Sequence, residues 1–231
     1  FNDYHDFDID KSNDRFDQPL LLGLLSKSVA LMTGLGSFLL IIFLSLYLNS
    51  LAMSLVLVSL PLFFLYSMGL KRMILIKNAL IAYAYVATIL LGSLVSDAIL
   101  EPLIVYFAAM GFIVGVAFEI MLDIGDVEGD KKLGIETLST RFGTETAAQV
   151  SVVLYGAIVI LDPLPFFIMI DPRLYLGYAF LLLILIPIVS YFFISKALMK
   201  DQSKKNVFQL KKRVFVTMQV GCMAYLIGVL P

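Results

Sequence analysis

The chain has 231 residues, 60% of them hydrophobic, with a formal net charge of −1 and a mean hydropathy of +0.94. That composition excludes a soluble globular domain and points to a membrane-embedded chain with no nucleic-acid partner. The single cysteine, Cys222, falls inside the last apolar run, which excludes a disulfide framework or a cysteine metal site and leaves it as a small buried hydrophobe.

The chain opens on Asp3, Asp6 and Asp10, spaced by three and then four residues. On a helix that spacing stacks the carboxylates on one face, where like charges repel by a few tenths of a kcal/mol per pair. No initiator Met and no signal peptide precede this motif, so the sequence is expected to lack an upstream segment. A polar loop, 11–27, contains Pro19 and Gly23. Seven apolar runs follow, at 28–48, 51–67, 75–95, 103–122, 147–170, 174–196 and 213–231, most of them near the length that crosses a hydrocarbon core. Asn49-Ser50 and Asp171-Pro172 read as tight turns, and Pro61 and Pro187 as tolerated kinks inside membrane helices. Gly111 and Gly115 form a small-xxx-small pair that allows close helix packing. The resulting fold class is an all-α polytopic transmembrane bundle, one domain over 1–231.

Where the fourth run ends, Asp123, Asp126 and Asp130 repeat the opening spacing. They fall at the C-terminal end of an apolar helix, where the helix dipole is already negative. Both effects disfavour the arrangement unless cations are present. Two such clusters facing each other would hold hard divalent ions through oxygen and leave positions for a phosphate-bearing substrate.

Charge sets the orientation. Loops 11–27, 66–77, 123–144 and 196–213 hold 3, 3, 3 and 7 of the chain's 17 Lys and Arg, and the alternate loops hold only Arg173. The basic loops are expected on the cytoplasmic side, with both aspartate clusters, in what is expected to be the plasma membrane. The runs are read as free of ionisable residues between their ends, Glu119 coming nearest. Transporters keep such residues near the midplane, so this pattern favours an amphiphile with an anionic head and an apolar tail over a divalent-cation transporter.

These residues resemble the UbiA superfamily of intramembrane prenyltransferases. Asn2-Asp3-Tyr4-His5-Asp6-Phe7-Asp8-Ile9-Asp10 is similar to that family's first aspartate-rich motif, NDxxDxxxD. Asp123 to Asp130, with the trailing Gly134-Ile135-Glu136-Thr137-Leu138, is similar to the second, DxxDxEGD and G-x-x-T-L. Tyr66-Ser67-Met68-Gly69-Leu70-Lys71-Arg72 resembles the tyrosine–lysine segment between them. The resemblance implies a nine-helix fold of which this chain carries seven helices, with the first and most of the second missing. It also implies Mg²⁺-dependent transfer of a prenyl group from an allylic polyprenyl diphosphate to a lipid or aromatic acceptor. Asn2, Asp6 and Asp10 would hold one ion, and Asp126 and Asp130, supported by Asp123, the other; Asp6, Asp10, Asp126 and Asp130 are the expected catalytic residues. Lys71, Arg72, Arg15 and Lys131 would clamp phosphate, and Tyr66 would steady the allylic cation through its ring face. Asp3 and Asp8 are weaker candidates than the motif positions Asn2, Asp6 and Asp10, and His5 reads as a surface residue.

The sequence departs from the pattern at three places. Positions often basic in the archaeal lipid branch are Phe118 and Leu122, and the usual R-P-x-x-x-G reads Gln18-Pro19-Leu20-Leu21-Leu22-Gly23. These bear on diphosphate affinity and exact substrate, not on fold. Ile9-Asp10-Lys11-x-Asn13 with Asp126-Val127-Glu128-Gly129-Asp130 is nearest the group of geranylgeranylglyceryl-phosphate geranylgeranyltransferases, chlorophyll synthases and homogentisate prenyltransferases. Ether-lipid synthesis leads, and an aromatic acceptor of quinone, tocopherol or chlorophyll type is the alternative. CDP-alcohol phosphotransfer, which needs one compact D-x-x-D-G-x-x-A-R run, finds no match.

Overall fold

A computed structural model describes residues 1–12 and 18–230, and the regular structure among them is entirely helical. In chain order the helices are α1 (Asn2–Ser12), α2 (Lys27–Ser45), α3 (Ser50–Met68), α4 (Ile76–Asp97), α5 (Pro102–Gly125), α6 (Val127–Lys132), α7 (Leu138–Phe142), α8 (Thr144–Leu161), α9 (Leu164–Phe167), α10 (Tyr178–Lys200) and α11 (Lys204–Gly228). A 3₁₀ turn, Leu70–Arg72, joins α3 to α4. Polar residues ahead of several apolar runs fix where the helices begin. Ser26 Oγ accepts from the Val29 N–H at 3.3 Å, Asn49 Oδ1 from Ala52 at 3.0 Å and Ser203 Oγ from Asn206 at 3.3 Å, each satisfying a donor the first turn leaves open. Asn49 also donates through Nδ2 to the Leu94 carbonyl at 2.5 Å, which ties the α2–α3 turn to the end of α4.

Among the described residues six helical segments are long and apolar enough to cross a membrane: Lys27–Ser45, Ser50–Met68, Ile76–Asp97, Pro102–Gly125, Thr144–Phe167 and Tyr178–Lys200. The expected seventh crossing corresponds to α11, which is long enough but carries Lys211, Lys212 and Arg213 in its third turn. The run read as 147–170 is interrupted at Asp162-Pro163, which separates α8 from α9, and the next helix starts only at Tyr178. Pro61 and Pro187 lie inside α3 and α10 as expected. The apolar interiors are not free of charge, however. Asp162 closes α8 while 7% exposed, and Lys77 sits in the first turn of α4. A lone acid escapes a reading based on run-averaged hydropathy because its neighbours outweigh it.

The core is organised around α5, half of whose apolar span is buried. Ile120, Met121 and Ile124 of α5 pack with Tyr155 and Ile158 of α8, Ile194 of α10, and Val207 and Leu210 of α11. Tyr155 and Tyr191 stack with centroids 5.2 Å apart, and Ser151 Oγ donates to the Ala117 carbonyl at 2.8 Å. Met32, Leu39 and Phe43 of α2 are exposed, as a lipid-facing surface requires. At the end remote from the aspartates, Arg173 joins Asp171 at 2.6 Å to Glu101 at 3.4 Å. The guanidinium hydrogen bonds hold the Asp171 carboxyl below the usual carboxylate range.

Gly111 and Gly115 bring α4 and α5 together. A Cβ at Gly115 would lie 2.9 Å from the Tyr85 ring and 3.0 Å from Ala82 Cβ, and one at Gly111 would lie 3.2 Å from Ile89. Gly115→Leu should therefore force the pair apart, at a cost of about 1–3 kcal/mol. Gly36→Leu on α2, where nothing lies within 4 Å, should be neutral. Thermal unfolding followed by labelling of Cys222, the sole cysteine in a chain without tryptophan, checks this: equal midpoints for the two variants would refute the packing.

Candidate active site

The two aspartate motifs converge on one cavity of about 230 Å³. The first motif reaches it on α1, which Phe1 pins in place by stacking on Phe64 (centroids 4.9 Å, 20°) and meeting Phe38 edge-on at 5.5 Å. The Lys27 ammonium lies 3.6 Å from the centroid of Phe7, a cation–π contact that holds the next turn. Asn2, Asp6 and Asp10 consequently line the cavity, with Asp10 buried. Asp3, His5 and Asp8 are exposed and do not line it.

The second motif, expected at the C-terminal end of the apolar run, is divided between two helices. Asp126, at φ −99° and ψ 2°, is the junction between α5 and α6. The Asp126 N–H still reaches the Leu122 carbonyl at 3.3 Å and the Asp130 N–H the Asp126 carbonyl at 2.9 Å, so the three carboxylates keep a common side. Asp123, Asp126 and Asp130 are 1%, 3% and 1% exposed and all line the cavity. The trailing G-x-x-T-L proves to be a turn-and-cap device. Gly134 takes φ +64°, a left-handed conformation favouring glycine. Thr137 Oγ1 accepts from the Thr140 N–H at 3.1 Å while Thr140 Oγ1 accepts from the Thr137 N–H at 2.8 Å. This turn delivers Ile135 to the cavity wall.

Of the residues expected to clamp phosphate, Lys71 is buried at the cavity in an ion pair with Asp6, and Tyr66 also lines it. Asn2 Nδ2 donates to Asp6 Oδ2 at 2.6 Å, completing that corner. Arg72 and Lys131 are exposed and outside the cavity. Arg72 points away because the 3₁₀ turn directs Lys71 inward; its carbonyl accepts from the Glu136 N–H at 3.2 Å, lacing the two loops together. Lys131 follows Asp130 on α6, so it projects to a different side from the carboxylates. Arg15 lies outside the described residues.

Two polar cavity residues, Lys77 and Glu119, and a buried neighbour, Asn78, escaped the motif reading. Lys77 Nζ is 2.5 Å from Asp123 Oδ1 and 3.9 Å from Asp130 Oδ2. Asn78, 1% exposed, donates to Asp123 Oδ2 at 2.8 Å. Glu119, 8% exposed, lies on the same wall. The available signal was a Lys-Asn pair opening an otherwise apolar helix; counted as loop charge, it merged with the basic loops.

The donor set is that of a hard cation. Six carboxyl groups (Asp6, Asp10, Glu119, Asp123, Asp126, Asp130) face two ammonium groups, Lys71 and Lys77, a formal excess of four negative charges if all are ionised. Two divalent cations would neutralise it. Among the described residues no three acids already converge into a cage. Mg²⁺ does not need one, since it takes one or two carboxylates and keeps its other positions for water and substrate phosphate. The residues fit the ion.

A second cavity, about 270 Å³, continues along the same faces of α4 and α5. Tyr85 and Thr88 follow Ile81 at helical spacing on α4, and Val114 and Gly111 precede Glu119 on α5, so this space lies deeper in the bundle by a turn or more. Phe107, Tyr191 and Tyr225 line it with Asp162 and Cys222. An acidic mouth thus opens over an aromatic, mostly apolar interior.

Comparison with known proteins accords with this geometry. The sequence profile of the UbiA prenyltransferase family matches residues 1–216. The digeranylgeranylglyceryl phosphate synthase of Thermococcus sibiricus is 31% identical over 227 residues, covering 98% of this chain and 78% of that protein. The enzyme of the same name from Archaeoglobus fulgidus is 29% identical over 233 residues, covering 98% and 77%. A solved structure from work on digeranylgeranylglyceryl phosphate synthase in membranes superposes with a TM-score of 0.75 at 26% identity, covering 99% of this chain and 78% of that one. The chain is therefore an integral membrane prenyltransferase, and it belongs to the UbiA prenyltransferase family.

Proposed function

We propose that this prenyltransferase moves a geranylgeranyl group from its diphosphate to a hydroxyl of a glyceryl phosphate lipid, forming an ether bond, with Mg²⁺ at the acidic mouth. The observation that carries the reading is the pairing of a carboxylate-rich cavity with an apolar one directly beneath it. The names of the relatives give the acceptor class. We place the mouth on the cytoplasmic side because the sequence segments 11–27, 66–77, 123–144 and 196–213 hold 16 of the 17 Lys and Arg. Counting α11 as a crossing gives seven for this chain.

In this reading the bond between C1 of the tail and the diphosphate oxygen breaks, the electron pair leaving with pyrophosphate. The acceptor oxygen bonds to C1 and releases its proton. Bound Mg²⁺ supplies the Lewis acidity that lets pyrophosphate leave. Asn2, Asp6 and Asp10 hold one ion; Asp126 and Asp130 hold the second, with Asp123 supporting. Lys71 and Lys77 shift from carboxylate to phosphate oxygens as leaving-group charge develops. The Tyr66 ring faces the developing allylic cation. The tail lies along the aromatic cavity between α4 and α5.

Reconstitution in liposomes with radiolabelled geranylgeranyl diphosphate tests this. Label should pass to geranylgeranylglyceryl phosphate with Mg²⁺ and stop with EDTA, and Asp126→Asn or Asp130→Asn should lower kcat roughly a hundred-fold or more. Metal-independent transfer, or transfer to a homogentisate-type ring instead, would overturn it. Lys77→Met separates the phosphate role from a merely structural one. It should lower kcat by roughly 10²–10³ while the Mg²⁺ concentration for half-maximal rate stays the same or falls, because the cavity becomes more negative. A rise in that concentration would show that Lys77 builds the metal site and does not contact phosphate.

A further inference from the structure

The third turn of α11 carries Lys211, Lys212 and Arg213. Val207, Leu210, Val214 and Thr217 form the buried face of this helix, so the core lies on that side. Lys212, Arg213 and Val216 are exposed on another. With Leu185, Val189 and Phe193 of α10 they line a groove of about 790 Å³, apolar along its length and cationic at one end.

The depth of these charges is unusual. Gly125, at the end of α5 beside the acidic cavity, packs on Val207: a Cβ there would lie 3.1 Å from Val207 Cγ1. Lys212 and Arg213 lie five and six residues further along α11, roughly 7–9 Å deeper into the bundle at 1.5 Å per residue. Among the described residues neither pairs with a carboxylate. The segment 196–213 has seven basic residues and one acid, Asp201, and that acid is taken up by the N–H and hydroxyl of Ser203 at 2.8 and 3.0 Å. Two cations at this depth need an anion from outside the chain. Long stems let both heads reach back to one headgroup, and the guanidinium fork matches phosphate oxygens.

We propose that the α10–α11 groove binds one anionic bilayer lipid, its phosphate between Lys212 and Arg213 and a tail laid along Leu185, Val189 and Phe193. Charge complementarity selects this occupant. A second copy of the chain would have to present acids to both cations. The exposed apolar helices α2 and α3 contain none anywhere between residues 27 and 68.

Native mass spectrometry of the purified protein tests the site, with phosphatidylglycerol and phosphatidylcholine of identical acyl chains as probes. The wild type should retain one phosphatidylglycerol in preference to phosphatidylcholine. The double variant Lys212→Gln/Arg213→Gln should bind it roughly 30-fold more weakly, at about a fivefold loss for each cation removed. Lys204→Gln/Lys211→Gln, which removes the same charge outside the groove, should change affinity by no more than about twofold. Equal retention of the two lipids would overturn the proposal. So would equal losses in the two double variants, displacement by inorganic phosphate alone, or loss of a dimer in place of a lipid.

Discussion

Carboxylate crowding is the constraint on which this structure depends. Six acidic side chains surround a space of about 230 Å³, four of them buried at the close of α5 or along α6. Burying an unpaired charge is expensive, and like charges at helical neighbours add to the penalty. The fold offsets this with two lysines, Lys71 on the connection between α3 and α4 and Lys77 in the first turn of α4. Lys71 meets Asp6 and Lys77 bridges Asp123 and Asp130, so one short segment binds both motifs. That bridge exists because Gly111 and Gly115 let α4 approach α5 until Asn78 can reach Asp123. The entry to α4 also stores strain: Leu75 takes φ +62°, a left-handed conformation that costs a non-glycine residue of order 1–3 kcal/mol. Packing of the helix pair holds that strain in place two residues before Lys77.

How much of this was legible from sequence follows from what each signal measures. The aspartate motifs were readable in part: three-and-four spacing puts Asp123, Asp126 and Asp130 on a common side, whereas in the first motif Asp3, which shares that spacing, is exposed and Asn2 joins Asp6 and Asp10 at the cavity instead. Their meeting across more than a hundred residues is a tertiary fact, and only the resemblance to a family supplied it. Lys77 and Asn78 were invisible as site residues because loop charge was counted by region, while their role depends on the direction of one helix turn. Arg72 and Lys131 show the converse: each is adjacent to a cavity residue but lies outside the cavity, since one step along a helix rotates a side chain by about 100°. Asp162 was lost in an average. The resemblance that singled out the second motif gave no hint that Asp126 breaks the helix, since a junction preserving the Leu122 and Asp126 carbonyl bonds leaves the spacing unchanged.

The acidic and aromatic cavities share the faces of α4 and α5, which gives the site its polarity. In the proposed reading, a head held by carboxylate-bound cations would be fixed at one end, with apolar room toward Tyr85, Val114 and Gly111. The order of residues along two helices would thereby orient an amphiphile without any dedicated contact to its middle. Asp162 and Cys222 modify the deep wall, where a carboxyl with apolar neighbours disfavours hydrocarbon beside it.

Helix α11 keeps two opposite charge excesses from cancelling. The acidic cavity and the basic segment 196–213 lie at the same end of the bundle, and flexible lysines among them could neutralise the aspartates directly. Val207, Leu210 and Val214 prevent this by locking one side of α11 into the core beside α5, which holds Lys212 and Arg213 in the groove shared with α10. In the proposed readings, the excess of each set would be balanced from outside the polypeptide, by cations at the cavity and by an anion at the groove. Amphipathic register along a single helix is sufficient to keep the two apart, because turning α11 by one residue would expose Leu210 and Val214 to lipid and carry Arg213 toward the core.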